Sequence, residues 1–207
     1  MKFKKLSADS NMLITDKDMT VIGNAMPRFT GGWNNQFAYK NFDLSVFVYF
    51  SVGNQVYNAN RIEYTSQYLY TDNNMLALVN DRWKSYDADG VRVTDPVALA
   101  ALNKDTKLWT PTGGQYTPQS FAIEDGSFLR ISNVSLGYSL PSKLLKRSKF
   151  ITRVRVYGTV NNLFTITNYS GFDPEANTRR STPLTPGVDY SAYPRSRFVL
   201  GGVNVTF

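Results

Sequence analysis

Five stretches of this chain alternate apolar with polar residues, and the connections between them alternate short with long. A period of two marks β-strands whose faces meet different surroundings, because successive side chains point to opposite sides. From Phe29 to Tyr39 the odd positions carry Phe29, Trp33, Phe37 and Tyr39, and the even ones Thr30, Asn34, Gln36 and Ala38. Lys40 and Asn41 then form a two-residue turn, with Asn supplying tolerance of the positive φ such turns need. The next stretch runs from Phe42 to about Val56. It sets Phe42, Leu44, Val46, Val48, Phe50 and Val52 against Asp43, Ser45, Phe47, Tyr49 and Ser51. Tyr39 and Phe42 face each other on the apolar side, so register and pattern agree. Alternation returns over Phe128–Leu140, Ile151–Phe164 and Arg197–Phe207.

The connections are a turn of two residues, a loop of roughly seventy, a turn of about ten and a loop of about thirty. Short turns at one rim and long loops at the other are the plan of a membrane β-barrel, and they put the chain's end at the periplasmic rim. Tyr39, Phe42, Tyr138 and Phe207 fall on the apolar face near that rim, and Phe29, Phe50, Phe128 and Phe164 near the other. Two aromatic belts around an aliphatic band match the interfacial girdles of such barrels. Strict parity also puts Asn35 and Arg130 on the lipid face, and Leu129, Ile131 and Phe47 on the lumen face; a bulge would re-aim either polar misfit. The expected fold is all-β: residues 1–207 as an antiparallel transmembrane β-barrel fragment of about five or six strands with long extracellular loops. Five strands cannot close, and an open edge does not survive in lipid, so a larger barrel is expected around them. Short helices are expected near Met75–Lys84, Pro96–Leu102 and Ser142–Lys146.

Composition removes several chemistries. Without Cys or His there is no disulfide, no thiolate zinc site and no Ser–His–Asp triad. Lys and Arg number 23 against 16 for Asp and Glu, but the charges are scattered. The one dense run, Lys143, Lys146, Arg147 and Lys149, reads as a solvated turn, and no nucleic-acid partner is expected. The longest apolar run is too short for a transmembrane helix. Met1 to Leu6 lacks the apolar core of a secretion signal, so a signal peptide is expected to be missing.

Longer motifs carry a resemblance. Tyr193-Pro194-Arg195-Ser196-Arg197-Phe198 through Gly201-Gly202-Val203-Asn204-Val205-Thr206-Phe207 resembles the C-terminal strand of the SusC/RagA family of TonB-dependent receptors. So does Asp125-Gly126-Ser127-Phe128-Leu129-Arg130-Ile131 through Pro141. Val156 to Thr165, with Asn161-Asn162-Leu163-Phe164, is similar to the penultimate strand, and Gly171-Phe172-Asp173-Pro174-Glu175 to the loop after it. Val21-Ile22-Gly23-Asn24 and Pro27-Arg28-Phe29-Thr30-Gly31-Gly32 are similar to the stretch before a descending strand. The resemblance implies a barrel of about twenty-two strands around an N-terminal plug, with this chain as roughly its last fifth. It implies a bacterial outer membrane, a SusD-like surface lipoprotein as partner, and TonB contact through an absent N-terminal part. It implies energised import of an oligosaccharide or peptide ligand, no cofactor and no catalytic site, with the chain inactive as a transporter alone. Phe207, with Val205 and Gly202, resembles an outer-membrane assembly signal, from which Leu200 departs.

Two site candidates come from the residues themselves. Ser7, Asp9, Asn11, Leu13, Thr15 and Asp18 stand at calcium-loop spacing, with Asp9, Asn11 and Asp18 as the stronger oxygen donors. Ser opens the loop, Met12 takes the glycine position and Asp18 replaces the closing Glu, so a degenerate surface loop without metal is the favoured reading. In the long loop Trp83, Trp109 and Tyr116, with Tyr64, Tyr68 and Tyr70, could stack on sugar rings or pack the loop on itself. Arg153 and Arg155 share the lumen face, to attract anions or pair with neighbouring strands. The alternative to a receptor fragment is a soluble carbohydrate-binding β-sandwich. A β-rich glycoside hydrolase ranks last, because the strands carry almost no carboxylates beyond Asp43.

Overall fold

The structure is a computed structural model of the chain. It describes residues 3–8, 13–66, 72–110, 117–146, 148, 150–178 and 185–207. The chain forms two compact units, one of residues 1–23 and 58–123, the other of 24–57 and 124–207.

Among the described residues the strands are β1 Phe29–Tyr39, β2 Phe42–Val52, β3 Gln55–Asn58, β4 Ile123–Asp125, β5 Phe128–Ser139, β6 Arg153–Thr167, β7 Val188–Asp189 and β8 Phe198–Thr206. The five long ones form one antiparallel sheet in the order β1-β2-β5-β6-β8, each neighbour in space being the next long strand in the chain. The short ones pair as β4-β3-β7. Tyr39 lies opposite Phe42 as the hairpin pattern requires. The turn's positive φ falls on Lys40, at 54°, and not on Asn41. Asn41 serves the next strand instead: its Nδ2 donates to the Ser139 carbonyl at 2.6 Å. β2 also ends earlier than its alternation suggests. Gly53, at φ 86°, breaks it, and β3 leaves for the small sheet. A Cβ there would strike the Arg28 stem at 2.7 Å.

One irregularity re-aims the outer part of β5. Between Phe47/Val48 on β2 and Asn133/Ile131 on β5, Ser132 has no partner. Across β5 and β6, Asn161 pairs with Asn133 and Phe164 with Ile131, so Asn162 and Leu163 on β6 stand against Ser132 on β5. This is a β-bulge, and an odd number of extra residues swaps the faces beyond it. Leu129 and Ile131 therefore sit opposite Phe50 and Val48 on the apolar face, while Phe128 and Arg130 turn to the polar face. This corrects strict parity, which put Phe128 in the outer belt, Arg130 toward lipid and Leu129 and Ile131 toward the lumen. Phe164 keeps its place, because β6 has one residue more than β5 here and two more than β2, so its parity matches that of β2. Asn162 occupies the left-handed region at φ 52°, and its Nδ2 donates to the Ser196 carbonyl at 2.9 Å. No such shift occurs between β1 and β2, so Asn35 stays on the apolar face, opposite Val46.

The burial of the second unit is inverted relative to a water-soluble sandwich. Along the apolar face Phe29, Trp33, Phe37, Tyr39, Phe42, Leu136, Tyr138, Val156, Phe164, Val199, Val203 and Phe207 are all exposed. Ser51, Phe128 and Arg130 are buried on the polar face, and the other buried residues of this unit, many of them polar, come from the loops and the small sheet: Asn54, Val56, Tyr169, Asp173 and Asp189. Near the short turns Tyr39, Phe42 and Tyr138 stand side by side, with the last two rings 4.7 Å apart. At the opposite end Phe29 meets Phe50 edge-on at 6.2 Å.

The first unit has little regular structure. Ala59–Glu63 (α1) and Pro96–Leu102 (α2) are short helices, and Ala77–Asp81 and Ser120–Ala122 are 3-10 turns. Asp95 caps α2 by accepting from the Ala98 amide at 2.7 Å, and Pro96 starts it where no amide donor is needed. A small core forms from Ala59, Ile62, Val79, Leu108 and Ala122. In the second unit, Ser142–Leu145 makes the single turn α3 between β5 and β6.

Candidate functional site

Midway along β5 and β6 the polar face carries small uncharged side chains. Asn133 Nδ2 donates to Asn161 Oδ1 at 2.7 Å, and the Thr159 hydroxyl donates to Ser135 at 2.9 Å. These pairs cross from β5 to β6 at neighbouring positions on one face and satisfy one another without charge. Such a surface presents hydrogen-bonding groups to water or ligand; among the described residues no group of three or more His, Cys, Asp or Glu could hold a metal.

Ion pairs flank this band. Toward the short turns, Arg155 on β6 reaches over β5 to Asp43 on β2, with Nε donating to Oδ1 at 2.9 Å. Gly137 makes the crossing possible: a Cβ there would lie 2.3 Å from Arg155 Nη2 and 2.5 Å from Asp43 Oδ1. Of the two arginines singled out by sequence, Arg155 is thus paired across the sheet, whereas Arg153 is exposed.

Toward the long loops, Arg130 forms a clasp. Its Nη2 donates to Asp173 Oδ1 at 2.7 Å, its Nη1 to Glu175, and its Nε to the Thr165 hydroxyl at 3.0 Å. Arg195 closes the cluster from the far end of the loop, 3.0 Å from Asp173 Oδ2 and 3.2 Å from Glu175 Oε2. Arg130 is 4% exposed and Asp173 6%. Two guanidinium and two carboxylate groups therefore balance, and the loop after β6 is pinned to β5. Close by, the Tyr169 hydroxyl donates to Asp189 Oδ2 at 2.6 Å, and the Ala192 amide to Oδ1 at 3.1 Å. Burial first, and then the hydrogen bond and charge of Asp189, push the Tyr169 phenol well above its usual range, so it stays protonated and donates.

Sequence reasoning missed the clasp because it aimed Arg130 at lipid. The signal was present: apolar residues stand at odd positions through Leu129 and Ile131, and at even positions from Val134 onward. A change of parity inside one strand marks a bulge.

Of the loop aromatics, Trp83 and Trp109 are brought together through their backbones. The Trp83 amide donates to the Leu108 carbonyl at 2.8 Å, and the Thr110 hydroxyl to the Trp83 carbonyl at 2.9 Å. Trp109 packs edge-on against Phe121 at 4.8 Å, and Arg61 lies over the same ring. Trp83 is 41% exposed. Tyr116, Tyr68, Tyr70, Asp9 and Asn11 lie outside the described residues. Asp18 is described, and its carboxylate accepts backbone amides from Leu6, Ser7 and Thr15.

A meander whose apolar face is exposed, with its polar face closed by ion pairs, has the build of a transmembrane β-barrel segment. Comparison with known proteins narrows this. No family model matches. The chain is 34% identical over 203 residues to TonB-dependent receptor P3 of Formosa agariphila, an alignment covering 96% of this chain and 18% of that receptor. It is 29% identical over 179 residues to TonB-dependent receptor SusC of Bacteroides thetaiotaomicron, covering 85% of this chain and 15% of SusC. Among solved structures it superposes on the RagAB peptide importer in the "closed-closed" state with a TM-score of 0.75 and 25% identity, covering 98% of this chain and 20% of that one. The "open-open" RagAB structure, at 24% identity and a TM-score of 0.73, shows the same fold. The chain belongs to the SusC/RagA family of TonB-dependent receptors and corresponds to a C-terminal part of their barrel. It spans about a fifth of the length of the relatives it matches.

Proposed function

We propose that the five-stranded sheet is one arc of a closed outer-membrane barrel of about twenty-two strands, which imports an oligosaccharide or peptide. The observation that carries this reading is the inverted sheet: its exposed apolar face is bounded by aromatic residues near both rims, as a lipid-facing surface requires. In this arrangement the Asn, Ser and Thr band lines the lumen, the Arg130 clasp steadies the last extracellular loop, and residues 58–123 belong to the extracellular loops. A SusD-like lipoprotein would meet these loops, and TonB would act through a plug outside the given residues. Trp83 and Trp109 are the loop aromatics offered to ligand or lipoprotein. The part played by this chain is wall and loop, not catalysis.

The reading is tested by purifying the chain with and without detergent. We expect aggregation in buffer and antiparallel β-structure in detergent micelles. A monodisperse, cooperatively unfolding monomer in plain buffer would overturn it in favour of a sugar-binding sandwich.

A further inference from the structure

The turn between β5 and β6 is basic, and neither the lumen face nor the clasp uses its lysines. Its backbone is ordered. The Leu144 amide donates to the Pro141 carbonyl at 2.9 Å, and the Lys146 amide to the Ser142 carbonyl at 3.1 Å. Ser148 Oγ accepts from the Ile151 amide at 3.0 Å, where the chain returns toward β6. This frame holds out Leu144, 68% exposed, and Phe150, 78% exposed, with Lys143 and Lys146 exposed on the same turn. The other short turn adjoins it. The Ser139 amide donates to the Asn41 carbonyl at 2.8 Å, and Asn41 Nδ2 to the Ser139 carbonyl at 2.6 Å. Lys40 in that second turn places its Nζ 5.3 Å from the centroid of the Tyr39 ring, which is exposed on the apolar face. Lysines thus stand where the aromatic belt of Tyr39, Phe42 and Tyr138 ends. Opposing charge is scarce here. No carboxylate occurs between Asp18 and Asp43, or between Asp125 and Asp173. Asp43 itself is taken up by Arg155 on the polar face. Among the described residues Lys40, Lys143 and Lys146 form no ion pair.

We propose that the two short turns form a docking surface for anionic phospholipid, with Lys40, Lys143 and Lys146 meeting the headgroup phosphates and Leu144 and Phe150 lying in the acyl boundary. The proposal rests on the membrane reading of the sheet. Exposed lysines and large apolar side chains on one short turn are the make-up of an interfacial segment, in which the apolar part enters the boundary and the charges stay at the headgroups. A lysine suits this position because its long apolar stem lies along the acyl chains while the ammonium reaches outward. Two observations name a lipid surface as the occupant. The basic surface continues the lipid-facing belt without a break, since Lys40 lies over Tyr39 and the β5–β6 turn follows directly on the strand that carries Tyr138. The excess of positive charge is uncompensated, so a partner that carries negative charge across its whole surface is favoured. The turns would then do more than connect strands: they fix how deep this arc sits and which leaflet composition it prefers.

The test places the full chain in neutral detergent micelles with a trace of spin-labelled phosphatidylglycerol or spin-labelled phosphatidylcholine. The fraction of each lipid immobilised by the protein is read by electron paramagnetic resonance. Phosphatidylglycerol should associate at least about fivefold more strongly than phosphatidylcholine, the effect of one lysine near an anionic surface. The preference should shrink as salt is raised. Lys40→Gln, Lys143→Gln and Lys146→Gln combined should bring the two lipids level while circular dichroism shows the same β-structure. The chain has no cysteine, so a single nitroxide on Leu144→Cys reports depth without further change. It should be more accessible to oxygen than to a water-soluble nickel chelate. Equal association of the two lipids with the unsubstituted β-structured chain would refute the proposal and leave the membrane reading standing. So would a preference that survives the triple substitution, or a nitroxide at position 144 open to the nickel chelate. A chain without β-structure in micelles would remove the membrane reading and this proposal together.

Discussion

Two arginines on the polar face of one sheet solve opposite problems. Arg155 joins strand to strand above Gly137, and its partner Asp43 has a side chain that is 41% exposed. Arg130 joins strand to loop, and both it and Asp173 are buried. An exposed pair gains little, because water already solvates both charges and holding them costs entropy. A buried cluster must be complete, because removing one member leaves a desolvated charge behind. The outer end of the sheet should therefore be brittle to single substitutions and the short-turn end tolerant, although each end carries ion pairs.

Arg130→Met tests the contrast at its strongest point. Among the described residues it leaves Asp173 and Glu175 with Arg195, which is half exposed, as their remaining cation. We expect a loss of about 3–5 kcal/mol, read from urea unfolding in micelles, with early proteolytic nicking after β6. A loss within about 0.5 kcal/mol, the range of an ordinary surface change, would erase the distinction between the two ends.

Tyr169→Phe sharpens it by a second buried group. Asp189 would keep the Ala192 amide and lose its hydroxyl donor, at a cost of about 2 kcal/mol. The pH dependence has a definite sign. Below the ordinary phenol value of 10.0, folded and unfolded chains both hold the proton. As pH rises past it the unfolded chain releases the proton while the folded one retains it, so stability falls. The Phe variant lacks this share, so its decline in alkali should be shallower. Parallel declines for the two proteins would mean that Tyr169 is not held protonated by its burial and Asp189.

How much of this was legible follows the same division. The long strands, the hairpin register, the belt near the short turns and the faces outside Phe128–Ile131 follow from the period of two, because a face buried or bathed in lipid enforces it at every second residue. α2 was legible too, since Asp95 and Pro96 carry cap and start in adjacent positions. The clasp was not, because a single inserted residue, Ser132, inverts the faces of Phe128 to Ile131 on β5 while leaving composition untouched. The pairing of Arg155 with Asp43 was half legible. Sequence placed both on the polar face, but only the register shows that they reach across β5, and only Gly137 makes the reach possible.

The smallest effect is expected from Arg155→Met, and the size of that effect decides whether exposure or mere presence of charge sets the cost. With both partners partly exposed, the loss should stay below about 1 kcal/mol and shrink further as salt is raised. Gly137→Val attacks the same contact from beneath. The new side chain meets the mobile end of Arg155 and the Asp43 carboxylate, so the pair is expelled while the backbone stays, again for about 1 kcal/mol. Because both changes remove one contact, the double variant should cost no more than about 0.5 kcal/mol beyond either single one. A fully additive pair would instead mean that the introduced valine clashes with β5's own neighbours, and that Gly137 serves the sheet rather than the crossing of Arg155 to Asp43.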